Sequence, residues 1–177
     1  MTTDKSESSS DPQVADRVLI LMRHAKSDWG DESLSDHQRP LNRRGKRDAP
    51  RMAKWLAEIE MVPDMILSSS SERTRETVAL MTEQWTMEPT TLFSESLYLA
   101  TPETILSTIR SDACDAIKLM VVAHNPGIAH LVSSLAEEFM EMPTAAIIVF
   151  KIPAGDWSTL QTNTPMSLLQ SMRPKAL

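Results

Sequence analysis

Cysteine is almost absent from this chain: Cys114 stands alone among 177 residues. One thiol cannot close an internal disulfide and cannot build a cysteine-based zinc site, and it fits a reducing compartment such as the cytoplasm. Long apolar runs are missing as well. No stretch approaches the roughly 20 residues that a membrane helix needs, which argues against a membrane partner. Positive charge is in deficit, with 18 Lys and Arg against 24 Asp and Glu and a net charge of −6. That balance argues against a general nucleic-acid surface. Residues 1–16 lack the hydrophobic centre of a secretory signal and are polar and serine-rich, so they read as a disordered leader. No internal repeat or linker divides the rest. The length suits one domain with its own core, expected over residues 17–162 and expected to work as a monomer. The 12 methionines are scattered along the chain, which points to core filling rather than a ligand surface.

What is present alternates. Val18 to Met22 is an apolar run that stops abruptly at Arg23-His24, the pattern of a strand buried on both faces. A polar loop of about 15 residues follows, long enough to be functional, with Trp29 and Leu34 expected to tuck it down. Asn42 reads as an N-cap, and Ala49, Met52, Ala53, Leu56 and Ile59 recur at helical spacing, predicting a helix over 43–60 with Pro50 as a kink or break. Short strands are expected over 64–67 and 91–93, with a helix over 72–85 between them. Thr101-Pro102 opens a third helix. Lys118 to Ala123 is a second buried strand, running into His124-Asn125-Pro126-Gly127. Asn125 and Pro126 read as an N-cap and first turn, before a helix with Ile128, Leu131, Val132, Leu135 and Phe139 on one face. Residues 145–152 and 157–161 read as a closing hairpin, and 163–177 as an extended tail. Strands alternating with helices predict a three-layer α/β/α sandwich with a mostly parallel central sheet.

In an open α/β sheet, chemistry collects past the carboxyl ends of the strands. Two such ends carry a histidine, His24 and His124. Arg73 follows the serine run 68–71, in the first turn of a helix whose backbone N–H groups also favour an anion. Arg39 ends the long loop. Two imidazoles and several guanidiniums, with no carboxylate pair, form an inventory for gripping a tetrahedral dianion and attacking it with a ring nitrogen.

These segments together resemble the histidine phosphatase (phosphoglycerate mutase-like) superfamily, most closely its small phosphohistidine phosphatase branch. The carrying residues are Leu21-Met22-Arg23-His24-Ala25-Lys26-Ser27, Arg39-Pro40-Leu41 with Gly45, Ser68-Ser69 with Arg73 and Thr77, and Val122-Ala123-His124-Asn125-Pro126, in family order across about residues 17–160. The resemblance implies that His24 is the nucleophile and forms a phosphohistidine intermediate. It implies that Arg23 and Arg73 bind the phosphoryl oxygens, that His124 faces His24 and contacts the same group, and that Arg39 completes the phosphate pocket. No cofactor or metal is called for. Attack requires a neutral nitrogen, and nearby arginines lower the pKa of His24. Its other nitrogen is expected to donate to a backbone carbonyl and fix the tautomer.

The chain also departs from the family pattern. Ala25 stands where the superfamily carries glycine. No carboxylate matches the acid that protonates an oxygen leaving group; Glu95 lies in the right region but reads as a surface glutamate. A missing acid favours a phosphoramidate, because a protonated imidazole leaves easily. The expected substrate is therefore phosphohistidine in a protein, a histidine phosphotransfer domain among the possibilities. The alternatives are a small phosphoester or a non-catalytic phosphoryl-binding module. Little sequence beyond Ser27–Gln38 could form a lid, so the crevice should be open. The basic cluster of Arg39, Arg43, Arg44, Lys46, Arg47, Arg51 and Lys54 is by default a solvated helix face, with docking of an acidic partner as the functional alternative. His37, His130, Lys26 and Cys114 are read as bystanders.

Overall fold

The computed structural model describes residues 16–152 and 155–177. The expected leader falls almost wholly outside them. The apolar run forms β1 (Arg17–Arg23), and its side chains split by alternation. Leu19 and Leu21 enter one core with Ile105, Ile109, Leu131 and Leu135. Val18, Ile20 and Met22 enter the other with Met52, Leu56, Val78 and Met81. Helices on both faces explain why the strand is apolar throughout. The helices on one side are α1 (Arg43–Glu58) and α2 (Glu72–Thr82). On the other are α3 (Pro102–Asp112) and α4 (Gly127–Ala136). The remaining strands are β2 (Met65–Ser69), β3 (Thr90–Ser94), β4 (Lys118–Ala123), β5 (Ile147–Ile152) and β6 (Ser167–Met172).

The sheet order is β3-β2-β4-β1-β5-β6. The first four strands are parallel, and β5 and β6 close the sheet antiparallel. This is the three-layer α/β/α sandwich with a mostly parallel sheet that the alternation of strands and helices predicts. Met22, Met52, Met65, Met81, Met120 and Met142 are buried, as core filling requires. Asn42 caps α1 by accepting from Gly45 N at 3.0 Å, and Thr101 caps α3 by accepting from Thr104 N at 3.3 Å. α1 runs through Pro50 unbroken. Among the described residues no helix is long and apolar enough to cross a membrane.

Four expectations give way. Residues 157–161 are not the partner strand of β5. Trp157–Thr159 is a turn of 3-10 helix whose buried indole donates to Ala116 O at 2.7 Å. The partner is β6, so residues 163–177 are no trailing tail but extend the sheet past residue 162. Asn125 is not the cap of α4: Pro126 holds that position, and the Asn125 amide donates to Met142 O at 3.0 Å. Finally, α4 ends at Ala136, where Glu137 turns left-handed, and Phe139 is left 85% exposed instead of packing inward.

Candidate active site

Parallel pairing decides what meets at the sheet edge. Arg23 of β1 lies opposite Ala123 of β4, and Ser68 of β2 lies opposite Val122. The residues that follow these three strands therefore emerge side by side. His24 N donates to Ala123 O at 3.2 Å, and the rings of His24 and His124 stand 5.0 Å apart between centroids. Both histidines are buried. Arg73, in the first turn of α2, is buried beside them, with Nη2 at 3.3 Å from His124 Nδ1. Arg23 donates through Nη1 to Met142 O at 3.0 Å. These four side chains line one cleft of about 410 Å³.

The hydrogen bonds fix both tautomers. His24 Nδ1 lies 2.7 Å from Ala25 O. A carbonyl only accepts, so Nδ1 carries the proton and Nε2 keeps its lone pair in the neutral ring. The Ala25 amide donates to Thr77 Oγ1 at 3.1 Å, and Thr77 Oγ1 donates to Arg73 O at 2.6 Å, which ties the backbone next to His24 to the arginine's helix. In His124 the order reverses. Arg73 donates to Nδ1, so Nε2 bears the hydrogen and donates to Ser69 Oγ at 2.8 Å. Burial, the Arg73 charge and the Arg23 charge together pull His24 down to about 4, against the opposing Ala25 bond and Asp36 charge. Burial, His24 and Arg73 pull His124 down to about 3. Both rings are thus neutral at physiological pH, and His24 Nε2 is a free base among cations.

Residues 19–94 match the family model described as histidine phosphatase superfamily (branch 1). A chloroplastic protein of Arabidopsis thaliana, itself uncharacterized, is 34% identical over 150 residues, which span 80% of this chain and 69% of the relative. This chain belongs to the histidine phosphatase superfamily. Among solved structures, a candidate phosphohistidine phosphatase SixA from Agrobacterium tumefaciens is 25% identical, with a TM-score of 0.75 over 89% of this chain and 98% of that one. The protein histidine phosphatase SixA in complex with tungstate shares the fold at 20% identity, with a TM-score of 0.74 over 90% of this chain and 98% of that one. Membership in the histidine phosphatase superfamily supports phosphatase activity.

Arg39, implied by the resemblance to complete the phosphate pocket, packs on Trp29, which lines the cleft. Arg39 itself does not line the cleft. Its guanidinium stands 4.3 Å from the centre of the Trp29 ring. Trp29, expected to tuck the loop down, is 61% exposed instead. Glu95 does not line the cleft either; its exposed carboxylate faces His37 Nε2 at 3.7 Å. His130 is exposed on α4.

Two lining or supporting residues escaped the sequence reading. Asp36, in a 3-10 turn over Asp36–Gln38, accepts from Arg73 Nη2 at 2.9 Å and from Tyr98 Oη at 2.6 Å. Its backbone carbonyl accepts from Arg73 Nη1. Burial pushes the Asp36 carboxyl up, but the Tyr98 and Arg73 hydrogen bonds outweigh it and hold the group below the ordinary carboxylate range. The Ser-Asp-His-Gln-Arg stretch carried no spacing signal for this role. Tyr98, the one tyrosine of the chain, was the residue that could have hinted at it.

Proposed function

We propose that this chain is a metal-independent phosphatase that passes a phosphoryl group through His24, with phosphohistidine in a protein as its substrate. The observation that carries the reading is the His24 ring: Nδ1 is committed to Ala25 O, Nε2 is unprotonated, and guanidiniums stand on its cleft side. The Nε2 lone pair attacks phosphorus, and the bond from phosphorus to the substrate's imidazole nitrogen breaks. The departing electron pair stays on that imidazole, whose other ring nitrogen has already taken a proton from water, so the group leaves neutral. A water oxygen then attacks the phosphoryl group, the bond to Nε2 breaks, its electrons return to the ring, and the water proton leaves with solvent. Arg23 and Arg73 neutralise the oxygens in both steps, which is most of what phosphoryl transfer asks of a protein. An arriving dianion adds negative charge beside His124 and opposes the cations that keep it neutral, so the ring gains a proton to share with the phosphoryl oxygens.

The choice of a phosphoramidate rests on the carboxylate that is present. Asp36 is the one acidic residue lining the cleft among the described residues, and Tyr98 and Arg73 keep it ionised. An alkoxide leaving group would find no proton there, whereas an imidazole leaves easily once protonated. The tungstate bound by the protein histidine phosphatase SixA is a tetrahedral oxyanion of the kind this cleft would hold. Every group invoked comes from one chain, so a monomer suffices, and the single thiol fits a reducing compartment such as the cytoplasm.

The test is hydrolysis of a phosphohistidine peptide and of p-nitrophenyl phosphate in the presence of a chelator. Acid quenching should trap a phosphoryl group that is acid-labile and maps to His24. Turnover that proceeds without any label on His24, or that needs an added divalent cation, overturns the reading.

A further inference from the structure

Trp29 is an exposed aromatic side chain held in place from two directions. Its Nε1 donates to Ser27 Oγ at 3.1 Å, and Ser27 is buried and bridged to Leu41 across the loop. Arg39 covers one face of the indole at 4.3 Å. The exposed area is therefore the other face and the edge, and the residue lines the cleft that holds His24. An aromatic ring left to solvent for no purpose has no reason to be tethered. A pre-oriented ring loses little entropy when something stacks on it. Leu99 is the other apolar residue lining the cleft; all the remaining lining side chains are polar or charged. Leu99 is 53% exposed and sits in the left-handed region, φ 49°, which costs a residue with a Cβ about 1–3 kcal/mol and marks functional sites more often than chance.

We infer that Trp29 and Leu99 form an apolar mouth that selects phosphoryl donors with a flat, ring-shaped leaving group, Trp29 stacking on the ring and Arg39 bracing the indole from behind. This rests on the proposed function and narrows it: the phosphoryl pocket accepts any dianion, and the mouth reads what the phosphorus is attached to. An imidazole, the leaving group of phosphohistidine, has the right shape, and the nitrophenyl ring imitates it. Arg39 is then a positioning residue acting through Trp29. Its charge also deepens the attraction between guanidinium and indole, which needs a face-on geometry to be effective.

The experiment compares kcat/KM on three probes: a phosphohistidine peptide, p-nitrophenyl phosphate, and the phosphoramidate ion, whose leaving group is ammonia and offers nothing to stack on. Trp29→Ala should lower kcat/KM on the two ring-bearing probes about tenfold, mostly through KM, in line with the loss of one stacking partner. It should leave phosphoramidate within about twofold. Trp29→Phe should recover most of the loss, and Arg39→Ala should shift the same ratio in the same direction by less. Equal losses on all three probes would mean that Trp29 only shapes the loop, and the inference fails while the phosphatase reading stands. No loss on any probe has the same meaning. A wild-type protein that hydrolyses none of the three sinks the phosphatase reading and this inference with it.

Discussion

On the floor of the cleft, His24 and His124 ride on the ends of two hydrogen-bonded parallel strands, and Arg73 is buried in the first turn of a helix. At the rim, Trp29, Asp36 and Arg39 sit on a loop held by a bridge from Ser27 to Leu41 and by single side-chain bonds. The floor residues owe their places to the sheet, in which β1 is hydrogen-bonded to β4 on one side and to β5 on the other. At the rim, Trp29 and Arg39 owe theirs to each other. In the proposed reading, the atoms that must be fixed within tenths of an ångström ride on strand ends, and discrimination between substrates falls to a loop that can vary without cost to the core. Asp36 is the connection between the two levels, because it belongs to the loop yet holds the buried Arg73.

The sharpest way to break this division is to remove the floor's proposed nucleophile. His24→Ala should lower turnover by more than about 10⁴-fold on every substrate, since His124, the other imidazole lining the cleft among the described residues, has both ring nitrogens engaged. The fold should persist, because the strand and its pairing do not depend on the imidazole; circular dichroism and thermal melting check this. Turnover within about tenfold of wild type would mean that the floor has been misassigned. Arg73→Ala comes next. It removes the guanidinium that touches His124, Asp36 and the phosphoryl site together, and it should cost about 10²–10³ in kcat/KM regardless of leaving group. A loss that depended on the leaving group would place Arg73 with the rim.

The floor was largely legible in the sequence and the rim was not. Arg23-His24 drew notice because an apolar strand ends there in a cation and an imidazole, and His124 ends a second buried strand 100 residues later. Arg73 was visible through its position after the serine run. Asp36 was invisible, since its meaning depends on Tyr98, 62 residues away, and on a guanidinium 37 residues away. The packing of Arg39 on Trp29 was invisible for a similar reason: the partner is a ring that no local spacing ties to it. β6 left no trace because it is an edge strand, exposed along almost its whole length, so Ser167 to Met172 show no alternation. Trp157 looked like a strand residue because it is apolar and follows a turn; nothing local reveals that its N–H is bound for Ala116.

Acid offers a test of intermediate size. In the unfolded chain both histidines take a proton near pH 6.5, whereas in the folded protein they do so near 4 and 3. Between those values the unfolded state holds more protons, so acid favours unfolding. Stability should be full above about pH 6.5 and drain away as the pH falls towards 4 and below. The share owed to His24 alone is about 3 kcal/mol at the low end. Melting temperatures between pH 7 and pH 4 would show it, and a His24→Asn/His124→Asn variant should lose much less over the same range. An identical decline in that variant would mean that the floor histidines are not held neutral by burial.

The smallest expected effect concerns the connection itself. Asp36 shares Arg73 with any incoming dianion: its carboxylate accepts from Nη2 at 2.9 Å while the phosphoryl oxygens must approach the same guanidinium. Asp36→Asn removes the negative charge and keeps an oxygen that can accept. Inorganic phosphate should then inhibit several-fold more tightly, because one competitor for the cation has become neutral. The Asp36 side chain is about two-fifths exposed, so water and salt screen part of the interaction, and the gap between variant and wild type should narrow in 0.5 M salt. Tyr98→Phe, which leaves Asp36 charged and its Oδ2 still bonded to Arg73, should move phosphate inhibition much less. Weaker phosphate inhibition in Asp36→Asn would reverse the assignment: the carboxylate would then serve to aim Arg73 rather than to compete with the substrate, and the rim would have to be counted as part of the floor.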